Sequence, residues 1–349
     1  MKNNKRTELY PLHIRNNARM SSFAGYDMPL WYKGVKEEHQ SVRKHCGIFD
    51  VSHMGIVYVE GVNISKNLQT LCSNRLNKTK QTYSMILNEE GQILDDCMIT
   101  YVTTNKWLLI INASNREKII HWLHQKLPPE NTVTEYNDTH SLIAIQGPKS
   151  ATILSKTIQH ELTTHKSMTL NHYAYKNKAL WISRSGYTGE DGFEILIEND
   201  LAKEFWESCN TYGATNCGLT SRDILRLEKG FPLYGHELSE EITPLETHYA
   251  WVVKWDHSYI GKKTLLKQKE DGPKTKIIAL ELEEPKIARQ GYPVLSNNEK
   301  IGTVTSGTLS PSSNKSIALA RIKNQSYTNI SIQIRKDKIK AKETQLPFV

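Results

Sequence analysis

Long apolar runs and paired cysteines are the features that this sequence lacks most clearly. The purest apolar run, Trp107–Ile111, is far shorter than the roughly 20 residues that a membrane span requires. The basic start, MKNNKRTELY, is not followed by an apolar stretch, so it does not resemble a secretory signal. The five cysteines are odd in number and none is spaced CxxC, which favours reduced, buried thiols over disulfides or a zinc site. We therefore expect a soluble, cytoplasmic protein with no metal.

A strong excess of one charge is also missing, although the balance is basic. The 349 residues carry a formal charge of +8, which is modest for this length. The densest basic stretch, Arg335–Lys342, fits either a solvated strand edge or a docking face for an acidic partner. Because no aromatic-rich basic motif or helix-turn-helix pattern accompanies it, we do not expect binding to nucleic acid.

The apolar content that is present suffices for a packed core and for two or three domains, since hydrophobic residues make up 38% of the chain. Strand-like runs alternate irregularly with stretches of helical periodicity. The predicted strands are Ile56–Glu60, Trp107–Asn112, Leu142–Gln146, Ala179–Ser183 and Phe193–Glu198; the predicted helices are Lys36–Cys46, Ser114–Leu127 with Ser114 as cap, Asp200–Tyr212 and Thr220–Lys229. This order is not a regular βαβ series and indicates a mixed or antiparallel α+β body.

The pattern changes after a polar break at Gln268–Lys276. Beyond it, strand-like runs are separated by Gly, Pro, Ser and Asn, which is typical of a small β-barrel or sandwich. These runs are Ile277–Leu282, Ile301–Ser306, Ile317–Ile322 and Ile330–Ile334. We predict a C-terminal all-β domain here.

Two adjacent carboxylates, Asp95 and Asp96, end the segment GQILDD just before a mostly apolar run. They fit simple turn residues. If the strand has already begun, their side chains point to opposite faces, and at most one of them faces a given pocket. An acid held there could orient or deprotonate an amine.

A glycine-rich segment, Ser183–Glu194, supplies a third candidate acid. Its glycines are spaced GxxGxxG, which indicates tight turns and does not match a dinucleotide site. In the alternating run that follows, Glu194 shares a face with Leu196, while Phe193, Ile195 and Ile197 share the other face. An ordinary hairpin with exposed acids explains the pattern equally well.

Arg222 lies in the first turn of the last predicted helix, where the helix dipole slightly disfavours a cation. Either a carboxylate partner or exposure to solvent would explain a cation at this position. Thr220 with Asp223 forms a capping-box pattern, and Gly230 is a natural residue to follow the helix. Spacing alone therefore indicates an α+β enzyme candidate with a carboxylate-lined cleft.

The residues themselves resemble the glycine cleavage T proteins in block after block along nearly the whole chain. The first matching blocks are Thr7–His13, Phe23–Pro29, Cys46–Gly55, Gly91–Asp96 and Ile111–Asn115. The later ones are Gly186–Glu194, Arg222–Glu228, Leu233–Leu238, Thr243–Glu246, Gly302–Gly307, Ser310–Pro311 and Ile317–Ala320. Because so many blocks occur in the right order, a chance match is implausible.

This resemblance implies a three-domain cloverleaf around a central funnel that holds tetrahydrofolate. Residues 1–50 and 137–260 would form a discontinuous folate-binding α+β domain, residues 51–136 a second α+β domain, and residues 274–349 the C-terminal barrel. It implies aminomethyl transfer from the lipoyl arm of the H protein to tetrahydrofolate, with ammonia released. We expect a monomer whose partners are this carrier and the small-molecule folate.

The resemblance also assigns roles to single residues. Asp96 would face the two folate nitrogens that receive the carbon, and Glu194 would anchor the pterin ring through a forked pair of hydrogen bonds. Arg222 would contact the substrate or orient Glu194. The remaining predicted residues, which would line the slot for the ring or pack in the core, are Tyr83, Met54, Asn112 and Tyr187.

Two other functions fit the same fold. One is a different folate-dependent one-carbon transferase or demethylase, and the other is a folate-binding protein without transferase activity. The second group carries a KGCYTGQE-type cysteine motif, whereas the matching stretch here, Ser185–Glu190, has no cysteine. Some relatives also have a tail with a folate-contacting tyrosine, and the last residues here, Leu346–Val349, contain no tyrosine.

Overall fold

A computed structural model describes residues 4–162 and 164–349 of the chain. The first three residues, which belong to the N-terminal segment inspected above for a signal, lie outside the described residues. The α-helices are α1 Tyr10–Arg15, α2 Val35–Lys44, α3 Ile64–Gln69, α4 Arg116–Lys126, α5 Ser150–Ile158, α6 Asn199–Thr211, α7 Leu219–Glu228 and α8 Lys262–Asp271. Three short 3-10 turns are Ala113–Asn115, Pro244–Glu246 and Ala250–Val252.

The strands fall into a mixed group and a C-terminal group. The first group is β1 Arg19–Phe23, β2 Tyr26–Trp31, β3 Gly47–Asp50, β4 Gly55–Gly61, β5 Thr82–Leu87, β6 Ile93–Thr103, β7 Lys106–Ile111, β8 Asn131–Glu135, β9 His140–Gln146, β10 Leu170–Tyr175, β11 Lys178–Ser183, β12 Gly192–Glu198 and β13 Thr215–Asn216. The second group is β14 Thr275–Leu282, β15 Pro293–Ser296, β16 Glu299–Leu309, β17 Ser316–Lys323, β18 Ile330–Ile334 and β19 Asp337–Thr344.

The chain divides into two compact units. The first comprises Met1–Ser65, Leu76–Thr82 and Met98–Leu225, and the second comprises Lys66–Arg75, Tyr83–Cys97 and Arg226–Val349. A five-stranded sheet has the order β5-β6-β7-β4-β8.

In the first unit, a six-stranded sheet with the order β10-β11-β12-β9-β3-β13 carries apolar side chains on both faces. Strand β12 shows how this arises from sequence. Phe193, Ile195 and Ile197 are fully buried in one apolar cluster together with side chains of α5 and α6, whereas Leu196 belongs to another cluster. The predicted alternation along this strand is therefore confirmed. All five strands predicted in this region are confirmed, and only Trp107–Asn112 was predicted one residue too long, because β7 ends at Ile111.

Two predicted helix starts in this unit are wrong. Ser114 is not the cap of α4, because a 3-10 turn occupies Ala113–Asn115 and the helix begins at Arg116. Thr220 is not a cap either, because α7 already begins at Leu219.

The backbone at the start of α7 is hydrogen-bonded by a side chain from another helix, α2. The buried carboxylate of Glu38 accepts hydrogen bonds from the Gly218 N–H at 2.9 Å and the Ser221 hydroxyl at 3.4 Å. An acidic group at a helix N-terminus is stabilised by the helix dipole, which makes a cap by Thr220 unnecessary. The residues of α7 predicted to be in the core, Ile224, Leu225 and Leu227, are all buried.

In the second unit, the six C-terminal strands close into a barrel with the order β14-β17-β16-β15-β18-β19, and β19 pairs with β14 to complete the ring. The barrel is filled by aliphatic side chains such as Leu280, Ala318 and Ile332. The four predicted strands are confirmed, whereas β15 and β19 were not predicted. The predicted polar break was too wide, because its first residues belong to the end of α8.

Strand β19 corrects one interpretation of the basic stretch Arg335–Lys342. Its first half, Asp337–Lys340, pairs with β18 and its second half, Ala341–Thr344, pairs with β14. The strand therefore closes the barrel and is not the edge of an open sheet. The mixed α+β class with a C-terminal barrel is confirmed. Within the described residues, no helix is both long and apolar enough to cross a membrane.

Candidate active site

Asp95 and Asp96 both lie inside strand β6 and are not turn residues. Since successive side chains of a strand alternate, the two carboxylates have different surroundings. Asp95 is fully buried, whereas Asp96 is only half-buried. Of the two, Asp96 is therefore the acid that a ligand can reach.

Asp96 contacts Tyr83, which belongs to a cluster of aromatic side chains. The Tyr83 hydroxyl donates a hydrogen bond of 2.9 Å to Asp96 Oδ2. The ring of Tyr83 lies edge-on to that of Tyr249, with 5.5 Å between centroids, and 6.1 Å from the ring of Trp251. Burial and the nearby charge of Asp96 raise the pKa of Tyr249, so this phenol remains protonated.

Trp251 and Tyr249 are candidate site residues that were not predicted from the sequence. Trp251 is 53% exposed although its ring packs against Tyr83 and Tyr249. An exposed tryptophan ring that is held against two tyrosines offers a surface on which a flat ligand can pack. The only signal in the sequence is the aromatic density of the segment HYAWVVKW, about 150 residues beyond Asp96.

Glu194 lies on β12, where it is half-buried. The hydroxyl of Ser185 donates a 2.6 Å hydrogen bond to Glu194 Oε2, and Ser185 in turn lies 2.8 Å from the hydroxyl of Ser183. The glycine-rich segment passes close to β9, because a Cβ on Gly186 would collide with the Gln146 side chain. This close approach explains the glycine and fixes the serine beside the acid.

Arg222 supplies a cation on α7, in the same unit as Glu194. Its guanidinium lies 5.0 Å above the ring of Tyr187 and 5.9 Å from that of Phe49. Burial lowers its pKa, and the charge of Glu194 partly offsets this. The buried Nη1 atom has no hydrogen-bond partner among the described residues. A buried donor without a partner is costly and points to a group that the bound ligand supplies.

Met54 and Asn112 are the remaining predicted residues, and both lie half-buried in the first unit. Met54 packs against the apolar cluster that contains Phe49 and Leu196. The loop that carries it is held by the Asn137 amide, which donates hydrogen bonds to the carbonyls of Ser52 and Met54. Asn112 directly precedes the 3-10 turn before α4.

A buried histidine neighbours Met54 in this loop. His53 is 4% exposed, and its Nδ1 has no hydrogen-bond partner among the described residues. Burial lowers its pKa to about 4; the charge of Asp50 opposes this shift, and the charge of Arg222 adds to it. At neutral pH the ring is therefore uncharged.

The structure thus brings together two sets of predicted residues. Glu194, Arg222 and Tyr187 lie together in the first unit, while Asp96 and Tyr83 lie together in the second. In the described residues, no cluster of three or more His, Cys, Asp or Glu side chains has the arrangement of a metal site.

Comparisons with known proteins match the whole length of the chain. Two family models fit it: the GCVT N-terminal domain over residues 9–257 and the glycine cleavage T-protein C-terminal barrel domain over residues 276–349. An aminomethyltransferase of Halothermothrix orenii is 38% identical and covers 99% of this chain and 100% of its own length. One of Bacillus pumilus is 40% identical, over 99% of this chain and 98% of its own.

A solved structure agrees in fold. The glycine cleavage system aminomethyltransferase T from Bartonella henselae superimposes with a TM-score of 0.92 at 31% identity, over 99% of this chain and 98% of that one. The α+β body, the C-terminal barrel and these relatives define the class of protein, which is an aminomethyltransferase. The chain belongs to the glycine cleavage T-protein family.

Proposed function

We propose that this chain catalyses the folate-dependent step of glycine cleavage. An aminomethyl group enters on the lipoyl sulfur of the H protein. Its carbon–sulfur and carbon–nitrogen bonds break, and the carbon forms two bonds to tetrahydrofolate. The products are 5,10-methylenetetrahydrofolate, ammonia and the dihydrolipoyl carrier. The family assignment and the relatives named above support this reaction.

The residues of the first unit fit the pterin ring of tetrahydrofolate. A carboxylate such as Glu194 can accept hydrogen bonds from the ring amide and amino groups, which is a strong and geometrically selective interaction. The buried Nη1 of Arg222 would find its missing acceptor on the ligand. This unsatisfied donor is the observation that carries the proposal, because without a ligand it has no compensation.

Asp96 would act on the nitrogens of tetrahydrofolate that receive the carbon. Its carboxylate is accessible, and its orientation is fixed by the Tyr83 hydroxyl. An ionised carboxylate would orient the accepting nitrogens and stabilise positive charge as the carbon–sulfur bond weakens. Holding the reacting groups in position would supply much of the remaining rate enhancement.

The exposed face of Trp251 would pack against the bound substrate next to these nitrogens. Tyr83 and Tyr249 hold the indole from one side, which leaves the rest of its surface for the ligand. Met54, Asn112 and Tyr187 would line the slot for the ring.

The same proposal includes three domains, formed by residues 1–50 with 137–260, by 51–136, and by 274–349. It also places a monomeric enzyme in the cytoplasm, where reduced thiols are stable. All five cysteines are free and buried, which supports this location.

The test is ammonia release from an aminomethyl-loaded H protein, with and without tetrahydrofolate. We expect release to depend on folate and to match the methylenetetrahydrofolate formed. Folate binding without turnover would indicate a binding protein, and turnover with a methylated small molecule but not with the carrier would indicate a demethylase.

A further inference from the structure

The excess positive charge of the chain is concentrated in the C-terminal barrel. Residues 274–349 contain 13 lysines and arginines but only six aspartates and glutamates, so this fifth of the sequence accounts for seven of the eight excess positive charges. Charge concentrated on one small domain indicates a partner of opposite sign.

Within the barrel, the basic residues form one surface. Lys338, Lys340 and Lys342 are exposed on β19, whereas Ile339 and Ala341 between them are buried in the barrel core. Alternate residues of a strand are roughly 6.8 Å apart on one face, so the three lysines form a straight row. Arg335 and Lys336 extend it, because they form the exposed turn between β18 and β19. We call these five residues the basic row.

Among the carboxylates near the basic row, Glu281 lies opposite Lys342 on β14 but pairs with Lys315 at 2.8 Å. Lys342 lies 3.6 Å from Glu283, and Asp337 at the turn is paired with Lys286 at 2.8 Å. On β18, the residues opposite Lys338 and Lys340 are Gln333 and Ser331, which carry no charge. Arg335, Lys336 and Lys340 form no ion pair in the described part of the chain.

The usual structural reason for lysines on a strand does not apply to β19. Lysines often protect an open sheet edge against pairing with another chain. Strand β19 belongs to a closed barrel, in which Asp337–Lys340 pair with β18 and Ala341–Thr344 pair with β14. A row of like charges on a closed barrel opposes folding through self-repulsion, so the row needs another explanation.

The turn at the end of the row shows the same preference for basic residues. Arg335 has a φ of 56°, a left-handed conformation that glycine and asparagine adopt more readily. The two-residue turn between β15 and β16 in the same barrel follows the usual preference, with Asn297 and Asn298 at φ values of 48° and 71°. The Asn298 side chain accepts a hydrogen bond from Lys338, so the two turns are adjacent.

We infer that the basic row is the docking surface for an acidic face of the protein that carries the aminomethyl group. This inference rests on the proposed function, which requires exactly one macromolecular partner. Complementary charge chiefly accelerates encounter and fixes orientation, so its loss should appear in the KM for the carrier. A nucleic acid is the less favoured occupant because the proposed reaction involves none. Stacking on single-stranded bases is also not supported, since residues 335–342 include no aromatic side chain.

The test compares two triple charge reversals. One changes the row, Lys338→Glu, Lys340→Glu and Lys342→Glu. The matched control makes the same change in charge at exposed lysines on three helices, Lys156→Glu, Lys203→Glu and Lys263→Glu. Both variants and the parent are assayed with the loaded carrier and with a small donor, the aminomethyl adduct of free dihydrolipoamide.

We expect the row variant to raise the KM for the carrier at least about tenfold at low salt, and the difference to shrink at high ionic strength. The KM for the small donor and the affinity for tetrahydrofolate should match those of the parent, which also shows that the variant is folded. Equal effects of the two triple variants on the carrier would overturn the inference. The inference would also be overturned if the parent and the control bound duplex DNA in a salt-sensitive way, the row variant did not, and the KM for the carrier were the same in all three proteins.

Direct binding of the unloaded carrier separates this inference from the proposed function. A parent protein that binds the carrier through the row but transfers nothing to folate would contradict the proposed function alone. A parent that transfers the carbon normally while the row variant binds the carrier equally well would contradict the docking surface alone.

Discussion

At the scale of single residues, the account depends on acids and a cation whose surroundings suit a reduced pterin. Tyr83 fixes Asp96, Ser185 fixes Glu194, and the guanidinium of Arg222 keeps a buried donor without a partner. Each of these contacts leads to a different expectation for turnover or binding.

Replacing the acid on β6 tests its chemical role. We expect Asp96→Asn to lower kcat far more than it weakens folate affinity, because the charge is needed most as the carbon–sulfur bond breaks. Steady-state kinetics with calorimetric folate binding measure both quantities. Asp256→Asn, an exposed acid of the same unit, serves as control. If turnover and binding fall equally for Asp96→Asn, the residue is only a binding group.

Removing the acid on β12 should act on binding. A hydrogen bond to a charged group contributes roughly 1.5–3 kcal/mol, so Glu194→Ala should raise the Kd for tetrahydrofolate at least about tenfold. Glu198→Ala is a matched control, because Glu198 lies on the same face of the same strand and pairs with Lys178. An unchanged Kd for Glu194→Ala would remove this residue from the site.

The exposed indole of Trp251 should contribute to folate affinity through contact between its ring and the ligand. Trp251→Ala should weaken folate binding about threefold to tenfold, as expected for the loss of an aromatic contact, while Trp251→Phe should retain most of the affinity. Tyr212→Ala removes another exposed aromatic side chain and should have no effect. Similar losses in the two Trp251 variants would show that ring stacking is not the cause.

At the scale of elements, the end of α7 is fixed to the barrel by a buried ion pair. Arg226 donates hydrogen bonds to Glu237 at 2.8 Å and to Ser306 at 2.7 Å, and both charged side chains are almost fully buried. Glu237 also accepts a hydrogen bond from Thr305. The Arg226 charge and the surrounding hydrogen bonds outweigh the effect of burial and lower the pKa of Glu237.

Breaking this pair should cost far more than breaking an exposed pair of the same barrel. We expect Arg226→Met to lower the apparent free energy of unfolding in urea by about 3–5 kcal/mol, because it leaves Glu237 buried and uncompensated. Lys315→Met, which removes the partner of Glu281 at the surface, should cost less than about 1 kcal/mol. Comparable losses would show that the buried pair has no special role.

The helices and strands that could be predicted from sequence are those whose bounds depend on the pattern of their own residues and not on contacts with distant parts of the chain. Alternation in Phe193–Glu198 and the run Trp107–Ile111 identify strands because one face or both must be buried. The start of α7 could not be predicted, since Glu38, about 180 residues away, satisfies it. Strand β19 was hidden by its lysines, because polarity on the outer face obscures the short inner pattern of Ile339 and Ala341.

The residues of the candidate site likewise divide into those that the sequence identifies and those that only the fold brings close. Asp96 and Glu194 stand out because the blocks that contain them are distinctive in sequence. Trp251 and Tyr249 were missed because their proximity to Asp96 arises only from the fold, through contacts with Tyr83. The missing partner of Arg222 Nη1 likewise cannot be read from a sequence.

At the scale of the whole molecule, stability should depend on pH through buried neutral histidines. The pKa of His53 is about 4 when folded, against 6.5 for the ordinary side chain. Between these values the unfolded chain binds more protons, so stability falls as pH falls from about 6.5 to 4, by roughly 3 kcal/mol from this group.

The contribution of His53 can be isolated by substitution. We expect His53→Gln to flatten the decline in stability between pH 6.5 and 4, measured by urea unfolding at each pH. His121→Gln changes an exposed histidine on α4 and should leave the decline as it is in the parent. A decline of the same steepness in all three proteins would show that His53 does not titrate as described.

The central proposal is that Asp96 and Glu194 both contact one molecule of tetrahydrofolate. The most direct measurement is a crystal structure of the protein with 5-methyltetrahydrofolate bound. The account predicts a single ligand whose pterin amide and amino groups donate to Glu194, with the Asp96 carboxylate within hydrogen-bonding distance of its bridging nitrogen, about 2.7–3.2 Å. A ligand that contacts only one of these two acids, or that binds elsewhere, would contradict it.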